Sequence, residues 1–518
     1  MNFIIPEVVG VRKLVPLLNN NKVPQVFLNN AACTKPFKDV IKFIAEVAPY
    51  CHDTYRSEGL ESIFCSDRYE EAKDIVGEFV GWDKEQDLVL PLHSTAEGFE
   101  ILADSIQFQS GDRIITGISP HLSSDLSWRG KAKIDYLPIC SSSEVLLAKL
   151  KWLLDAPGRV RVVSVSGACN LTGAIAPIHE IALIAHQYGA LVVVDGTQLI
   201  AHRPFKMKPH DDYRHIDFVV FSGHQMNCPL RVGAIVGRQD ILDAASPCQL
   251  RGEMVPKNTE QVIWAQAGKQ QKAIMSNTLG FFALAKAIKT INTVGIAKIS
   301  AHEQHLTALM LKGLSSIQGV KILNHDLNVE NRVGVVTFAI PRLHHALVGA
   351  ILSYEWGIAV HYGGFNTHPL IMQLLEISPE VEKYYRRETL EGRGGNAPGA
   401  IRVSLGIHNT EADIAKLVEA VNQIAQAKWE GNYEQKVNSS KFSPQNSQFD
   451  LQNLLRFAQR SNLSQLMIAK LLQPAVIASL LLLCFASLGA LAWWSDRDLE
   501  PQPNKAVLTQ DWLGSDRS

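Results

Sequence analysis

The sequence is poor in the features that most readily betray a function. Its 518 residues carry a formal net charge of −1, so no bulk electrostatic footprint points to nucleic acid. The eight cysteines, Cys33, Cys51, Cys65, Cys140, Cys169, Cys228, Cys248 and Cys484, are scattered without a C-x-x-C pair. That pattern is neither a disulfide scaffold nor a zinc framework, and it suits a reducing compartment. There is no long repeat, no Walker A loop and no G-x-G-x-x-G fingerprint. The opening residues, Met1 to Glu7, lack the charged and apolar blocks of a secretory signal. One uncharged run stands out against this background. Pro474 to Trp494 has the length that spans a bilayer, and Trp493 and Trp494 sit where an interfacial belt belongs. Arg456, Arg460 and Lys470 precede the run, whereas Arg497 follows it among Asp496, Asp498 and Glu500. The positive-inside rule then predicts a single-pass membrane protein whose main domain is cytoplasmic, with a buried core helix as the competing reading.

What is present is organised around the stretch Asp217 to Gly233. It reads as a short buried strand, Phe218 to Phe221, a polar turn, and the apolar run Val232 to Val236 that forms the next strand. Upstream, the apolar run Ala190 to Val194 ends in Asp195-Gly196-Thr197-Gln198. Open α/β sheets place their ligands at the carboxyl ends of such strands. Strands also read at Leu88 to Leu92, running into a turn and helix start at Ser94-Thr95, and at Arg161 to Val165, followed by the helix Pro177 to Tyr188. This alternation predicts an α/β fold with a mostly parallel mixed sheet flanked by helices.

The length calls for more than one domain. Residues 1–25 read as an irregular arm with a short helix and 26–280 as a large domain. Residues 281–428 read as a smaller α+β carboxyl-terminal domain with a connecting helix. A polar tether and amphipathic helix follow over 429–470, then the transmembrane helix over 471–495 and a short tail over 496–518. Helical periodicity marks Lys38 to Glu46 and Asp67 to Phe79, and Thr410 with Asp413 reads as the capping box of the last domain helix.

The two strand tips resemble the class V aminotransferase and cysteine desulfurase family of pyridoxal-phosphate enzymes, of fold type I, whose pattern is Asp-Gly-Ala-Gln followed by Ser-Gly-His-Lys. Further stretches carry the resemblance over roughly the first 425 residues: Gln25 to Thr34, Pro120-His121 to Trp128, Ser166 to Gly173, and Ala400-Ile-Arg402 to Asp413. The resemblance implies that Asp195 keeps the cofactor's pyridine nitrogen protonated, since an adjacent carboxylate favours the charged ring. It further implies that His121 stacks on that ring, that Asn170 and Gln198 contact the phenolic oxygen, and that Ser94, Thr95, Ser222 and His224 hold the phosphate. Arg402 would clamp a substrate carboxylate, a task suited to its planar fork of donors. A homodimer with composite sites is implied in the same way. The competing readings are a plain N-cap for Ser94 and Thr95, a strand-end cap for Asp195, a solvated loop residue for His121 and an internal ion pair for Arg402.

Three departures from the pattern shape the functional expectation. Gln225 stands where the family carries its Schiff-base lysine; an amide nitrogen lone pair is delocalised into its carbonyl and is not nucleophilic. Gln225 can therefore hydrogen-bond to a cofactor but cannot hold one covalently. Ile274 and Met275 replace a phosphate-gripping Gly-Thr pair, and Lys269 and Lys272 are the lysines nearest in the motif region. Asn366 stands where cysteine desulfurases carry their sulfur-accepting cysteine, and His361 where they carry an arginine; asparagine has no thiol to accept sulfur. His202, His210 and His215, with Asp211 and Asp212 between them, suggest a metal site by composition, but no pair has helical i, i+4 spacing and Pro204 and Pro209 interrupt any helix, so no metal is expected. The expectation is a membrane-anchored protein with a vitamin B6 pocket that lacks lysine-dependent catalysis and serves as a ligand- or partner-binding module. The alternative is an enzyme that uses pyridoxamine phosphate or non-covalent pyridoxal phosphate on an amino or keto acid, with His224 as a proton-transfer group. A third reading takes Gln225 as an introduced substitution in a working enzyme.

Overall fold

The computed structural model describes residues 4–51, 59–117, 122–137, 142–243, 254–258, 261–264, 277–323, 328–365, 367–391 and 397–433. His121, Lys269, Lys272, Ile274, Met275, Asn366 and the whole stretch 434–518, with the expected tether and membrane span, lie outside the described residues.

The centre is a seven-stranded sheet. Its strands are β1 (Asp87–Leu92), β2 (Arg113–Gly117), β3 (Lys133–Leu137), β4 (Val160–Ser166), β5 (Leu191–Asp195), β6 (Phe218–Ser222) and β7 (Gly233–Arg238). They lie in the order β1-β7-β6-β5-β4-β2-β3. β7 runs antiparallel to both β1 and β6, and every other pairing is parallel. This is the mostly parallel mixed sheet that the alternation of strand and helix signals predicts. Every residue of β5 and β6 is buried, as expected of continuous apolar strands covered on both faces. The pleat divides them: Val192, Val194, Val219 and Phe221 join one apolar cluster, while Leu191, Val193, Phe218 and Val220 join the other. Helix α1 (Thr95–Ser105) supplies Phe99 and Leu102 to the second face. Helix α2 (Ile178–Gln187) covers the first face with Ile178, Ile181, Ala182 and Ala185, an i, i+3, i+4, i+7 stripe.

Two helices, α3 (Thr278–Val294) and α4 (Ile296–Ser315), lead to the smaller sheet. They meet at Gly295, whose φ of 90° ends the first helix, and they bend by 75°. Among the described residues no single helix is long and apolar enough to cross a membrane. The smaller sheet contains β8 (Lys321–Leu323), β9 (Val335–Ala339), β10 (His361–Gly363) and β11 (Ala400–Ser404), in the antiparallel order β8-β9-β11-β10. Its core joins Val336, Phe338, Ile401 and Val403 to Leu306 and Met310 of α4 and to Leu417 and Val421 of α5 (Glu411–Ala425). Thr410 and Asp413 form the expected capping box at the start of α5.

The amino-terminal arm differs from expectation. In place of a short helix, Leu14–Pro16 and Lys22–Pro24 form an antiparallel pair with Val15 opposite Val23, closed by a bond from Leu17 N to Asn21 O of 2.8 Å. Pro16 and Pro24 disfavour a helix through this segment, and the β-branched valines fit a pleated ribbon.

The two sheets are tied together by a buried charge cluster that nothing in the sequence pattern indicates. Glu303 of α4 accepts from Arg203 Nη1 at 2.5 Å and from Gly334 N at 2.9 Å, and it meets His202 Nδ1 at 2.5 Å. Its carboxyl is held below the usual range: burial opposes ionisation, but His202 and Arg203 outweigh it. Arg203 also donates to the carbonyl of Arg332, itself fully buried.

Candidate functional site

Register alone assembles the candidate site. Ser166 pairs with Asp195, and Asp195 with Val220, so the tips of β4, β5 and β6 line one edge of the sheet. Gly233 faces Ser222 on one side and Leu92 on the other. The Ser94-Thr95 turn that follows β1 therefore opens on that same edge, two strand spacings or about 10 Å from Ser222. A side chain at Gly233 would put its Cβ 2.5 Å from the carbonyl oxygen of Phe221, so only glycine allows this approach.

Asp195 is buried, and its Oδ1 accepts from Thr197 N at 3.0 Å. Gln198 and Gln225 converge on one atom, donating from Nε2 to the carbonyl oxygen of Ala31 at 3.0 and 2.9 Å. Gln225 is 1% exposed. The segment that brings Ala31 here, Asn29 to Phe37, is laced to the turn after β6. Thr34 donates from both its N and its Oγ1 to His224 O, at 2.8 and 2.9 Å, and accepts from Asn227 N at 2.7 Å. Before it, Val26–Phe27 pairs in parallel with Ile358–Ala359. The resemblance at Gln25 to Thr34 pointed to this loop, but the carbonyl that unites the two glutamines is a backbone atom with no signature of its own.

Ser222 Oγ lies 2.5 Å from His224 Nδ1, so these two side chains hold each other. Ser94 is the N-cap of α1, with Oγ accepting from Glu97 N at 3.3 Å. The Glu97 carboxylate in turn accepts from His93 N at 2.7 Å. The turn is thus a formed helix amino terminus, with Thr95 at its first helical position.

Asn170 and Arg402 meet across the two sheets. Arg402 Nη1 donates to Asn170 O at 3.0 Å, Asn170 Nδ2 reaches Phe365 O at 3.5 Å, and the guanidinium stands 5.0 Å over the Phe365 ring. Gly173, at the end of the Asn170 loop, adopts a φ of +78°, and a Cβ there would lie 2.8 Å from the carbonyl oxygens of Val333 and Val335. Arg402 is 3% exposed, and no carboxylate among the described residues pairs with it. Burial pushes its guanidinium down to about 10. Its register partner His361 is pushed down to about 4, by burial first and then by the Arg402 charge.

Several buried polar atoms in this region have no hydrogen-bond partner among the described residues: Thr197 Oγ1, Gln198 Oε1, Gln225 Oε1 and Arg402 Nε. Each such atom costs roughly 1–3 kcal/mol when left unmet, and folded proteins keep few of them without a reason. Amide oxygens accept, so they suit a protonated ring nitrogen or a phenol hydroxyl, the Thr197 hydroxyl can donate or accept, and a buried guanidinium with no carboxylate partner among the described residues suits an anion. The residues present therefore fit pyridoxal phosphate. Of the residues expected to form the site, Ser94, Thr95, Asn170, Asp195, Gln198, Ser222, His224, Gln225 and Arg402 are described, and His121 lies outside the described residues.

Residues 26–417 match the family model for class V aminotransferases. The cysteine desulfurase of Cronobacter sakazakii is 28% identical over 429 residues, covering 80% of this chain and 97% of that protein. The cysteine desulfurase of Shigella sonnei is 27% identical over the same length and coverage. Among solved structures, the apo cysteine desulfurase of Thermococcus onnurineus NA1 superposes with a TM-score of 0.68 at 24% identity, covering 81% of this chain and 99% of that one. Members of this family use pyridoxal phosphate and are typically dimers. With the motifs, the sheet order and a family match over most of its length in agreement, the chain belongs to the class V aminotransferase family.

Proposed function

We propose that this protein keeps a vitamin B6 pocket without a covalent tether, binding pyridoxal 5'-phosphate or pyridoxamine 5'-phosphate non-covalently, and acts as a ligand- or partner-binding module. The observation that carries this reading is Gln225, which resemblance puts at the Schiff-base lysine position. Its amide is buried and tied to Ala31 O beside Gln198, a placement that suits a fixed polar wall and offers no nucleophile. Asp195 would face the ring nitrogen, Gln198 and Asn170 the phenolic oxygen, and Ser94, Thr95, Ser222 and His224 the phosphate. The bound cofactor would supply an electron sink; the chain supplies orientation and charge. Asn366 leaves no thiol where the desulfurase relatives' pattern calls for one, so sulfur transfer by that route is not part of this reading.

The test is spectroscopic. Purified protein titrated with each cofactor should bind reversibly, and borohydride treatment should leave no cofactor attached. Covalent retention by the unaltered chain would overturn the proposal, as would the absence of any binding.

A second reading is favoured by Arg402, which is buried with no carboxylate partner among the described residues. A guanidinium held without a carboxylate suits a keto or amino acid substrate, and His224, oriented by Ser222, could move a proton. Mixing the pyridoxamine-phosphate-loaded protein with keto acids separates the two readings: amino-acid product supports the enzyme, and its absence supports the binding module. We further propose a homodimer, and anchorage through residues 474–494 with the main domain cytoplasmic. Light scattering and protease protection of membrane vesicles test these two points.

A further inference from the structure

The opposite edge of the central sheet carries a different cluster. His186 lies in the last turn of α2, His215 in the turn that follows Asp212, and Asp217 just before β6. Their ligand atoms all lie within 4.8 Å of one another. His186 Nε2 is 2.8 Å from Asp217 Oδ2, and His215 Nε2 is 3.3 Å from Asp217 Oδ1. The two imidazoles stack with centroids 4.3 Å apart.

The other ring nitrogens decide what this arrangement means. His186 Nδ1 faces the carbonyl oxygen of Tyr213 at 2.8 Å, and His215 Nδ1 faces that of Asp212 at 2.9 Å. A carbonyl only accepts, so each Nδ1 carries the hydrogen, and in the neutral ring each Nε2 presents a lone pair. Both lone pairs then point at a carboxylate, which also only accepts. A second proton on a ring, which makes it an imidazolium facing the carboxylate, resolves the conflict in the ion-free chain; a divalent ion that displaces those protons resolves it as well. Ligand atoms around a tetrahedral ion with bonds of about 2.0–2.1 Å stand about 3.3 Å apart; His215 Nε2 is 3.3 Å from Oδ1, and the 2.8 Å between His186 Nε2 and Oδ2 must open by about half an ångström to admit the ion. A backbone carbonyl on Nδ1 is also the outer-shell partner that metal-bound histidines commonly have. The carboxyl end of α2 adds favourable potential for a cation.

We propose that His186 Nε2, His215 Nε2 and the Asp217 carboxylate bind a divalent transition ion of the zinc type, with a fourth position open. Two imidazoles and one carboxylate suit zinc, nickel or copper over magnesium or calcium. The histidine side chains are 11 and 12% exposed, so an ion has access from solvent, while Asp217 is 1% exposed and anchors it. Arg238 Nη1, 3.5 Å from Asp217 Oδ1, competes weakly for the same oxygen. Of the histidines nearby in sequence, His210 is held by Asp87 at 2.9 Å and His202 by Glu303. Asp217 precedes Ser222 by five strand residues, roughly 17 Å. The ion would therefore pin α2 to β6 from outside the cofactor edge, serving structure or regulation.

Calorimetric titration of chelator-stripped full-length protein with zinc and with magnesium tests this. Zinc should bind at about one per chain and raise Tm by a few degrees, and magnesium should do neither. His186→Gln and His215→Gln should each weaken zinc by at least about tenfold, the least that loss of even an outer-shell partner costs. His179→Gln, on the same helix but outside the cluster, should bind like the parent. X-ray absorption on the zinc-loaded parent needs no variant: nitrogen and oxygen scattering with two imidazoles supports the site. Sulfur in the first shell, no zinc binding, or unchanged affinity in both cluster variants would each overturn it.

Discussion

The two edges of the central sheet handle buried polarity in opposite ways. At the carboxyl edge, amide oxygens of Gln198 and Gln225, the Thr197 hydroxyl and Arg402 Nε are buried without partners among the described residues. At the amino edge, the single carboxylate of Asp217 meets His186, His215, Arg238 and the Val192 amide. Its carboxyl is held well below the usual range: burial opposes ionisation, but the hydrogen bonds and charge of the histidines outweigh it. An under-partnered edge has capacity reserved for a ligand, whereas a crowded one contributes to stability or waits for an ion. The contrast separates atoms whose loss should change binding from atoms whose loss should unfold the chain.

The largest expected effect is at the under-partnered edge. Gln225→Lys should convert reversible uptake of pyridoxal phosphate into attachment that survives borohydride reduction, rising from none to nearly one per chain by mass spectrometry. At the crowded edge, Asp217→Ala should cost about 3–5 kcal/mol in denaturant unfolding, because it strands buried cations and the Val192 amide. Asp195→Asn should show the reverse pattern: unfolding within about 1 kcal/mol of the parent, but cofactor affinity down roughly 10- to 100-fold, the range of a charge-assisted hydrogen bond. If both aspartate variants lose stability equally, the contrast between the edges fails.

Acid provides a further probe. Burial pushes His345, His361 and His408 down to about 4. Below their ordinary value near 6.5 the unfolded chain takes up protons that the folded chain refuses, so stability should fall as pH drops from about 6.5 towards 4. An acid ligand on Arg402 should reduce the His361 share of that loss, detectable as a shifted midpoint in pH-dependent melts. The smallest effect is expected for Ser94→Ala: about 1 kcal/mol if Ser94 serves only as an N-cap, with an added loss of affinity for inorganic phosphate if it also serves the cofactor.

Much of the candidate site was legible because strands carry their chemistry at their ends. Asp195 and Ser222 each close a buried apolar run, and parallel pairing of such runs places both tips on one edge. The Thr410–Asp413 box was equally local, needing only four residues. The arm was misread because weak helical signals there lose to two prolines and a valine pair that meet only when the ribbon closes. Nearness in sequence says as little about which histidines meet. His202, His210 and His215 are neighbours in sequence, but His202 is drawn to Glu303 on α4, while His215 joins a histidine on another helix.

The order of residues by itself determined the strand tips, the alternation that makes a parallel sheet, and the presence of an amide at position 225, because these are properties of side-chain type and of continuous apolar runs. Only the tertiary structure decided that Gln198 and Gln225 share the Ala31 carbonyl, that Arg402 is buried with no carboxylate beside it among the described residues, and that His186 faces Asp217. Those facts depend on which distant segments the core brings within 3 Å of each other. Hydrogen bonding, being short-ranged and directional, is settled only at that distance.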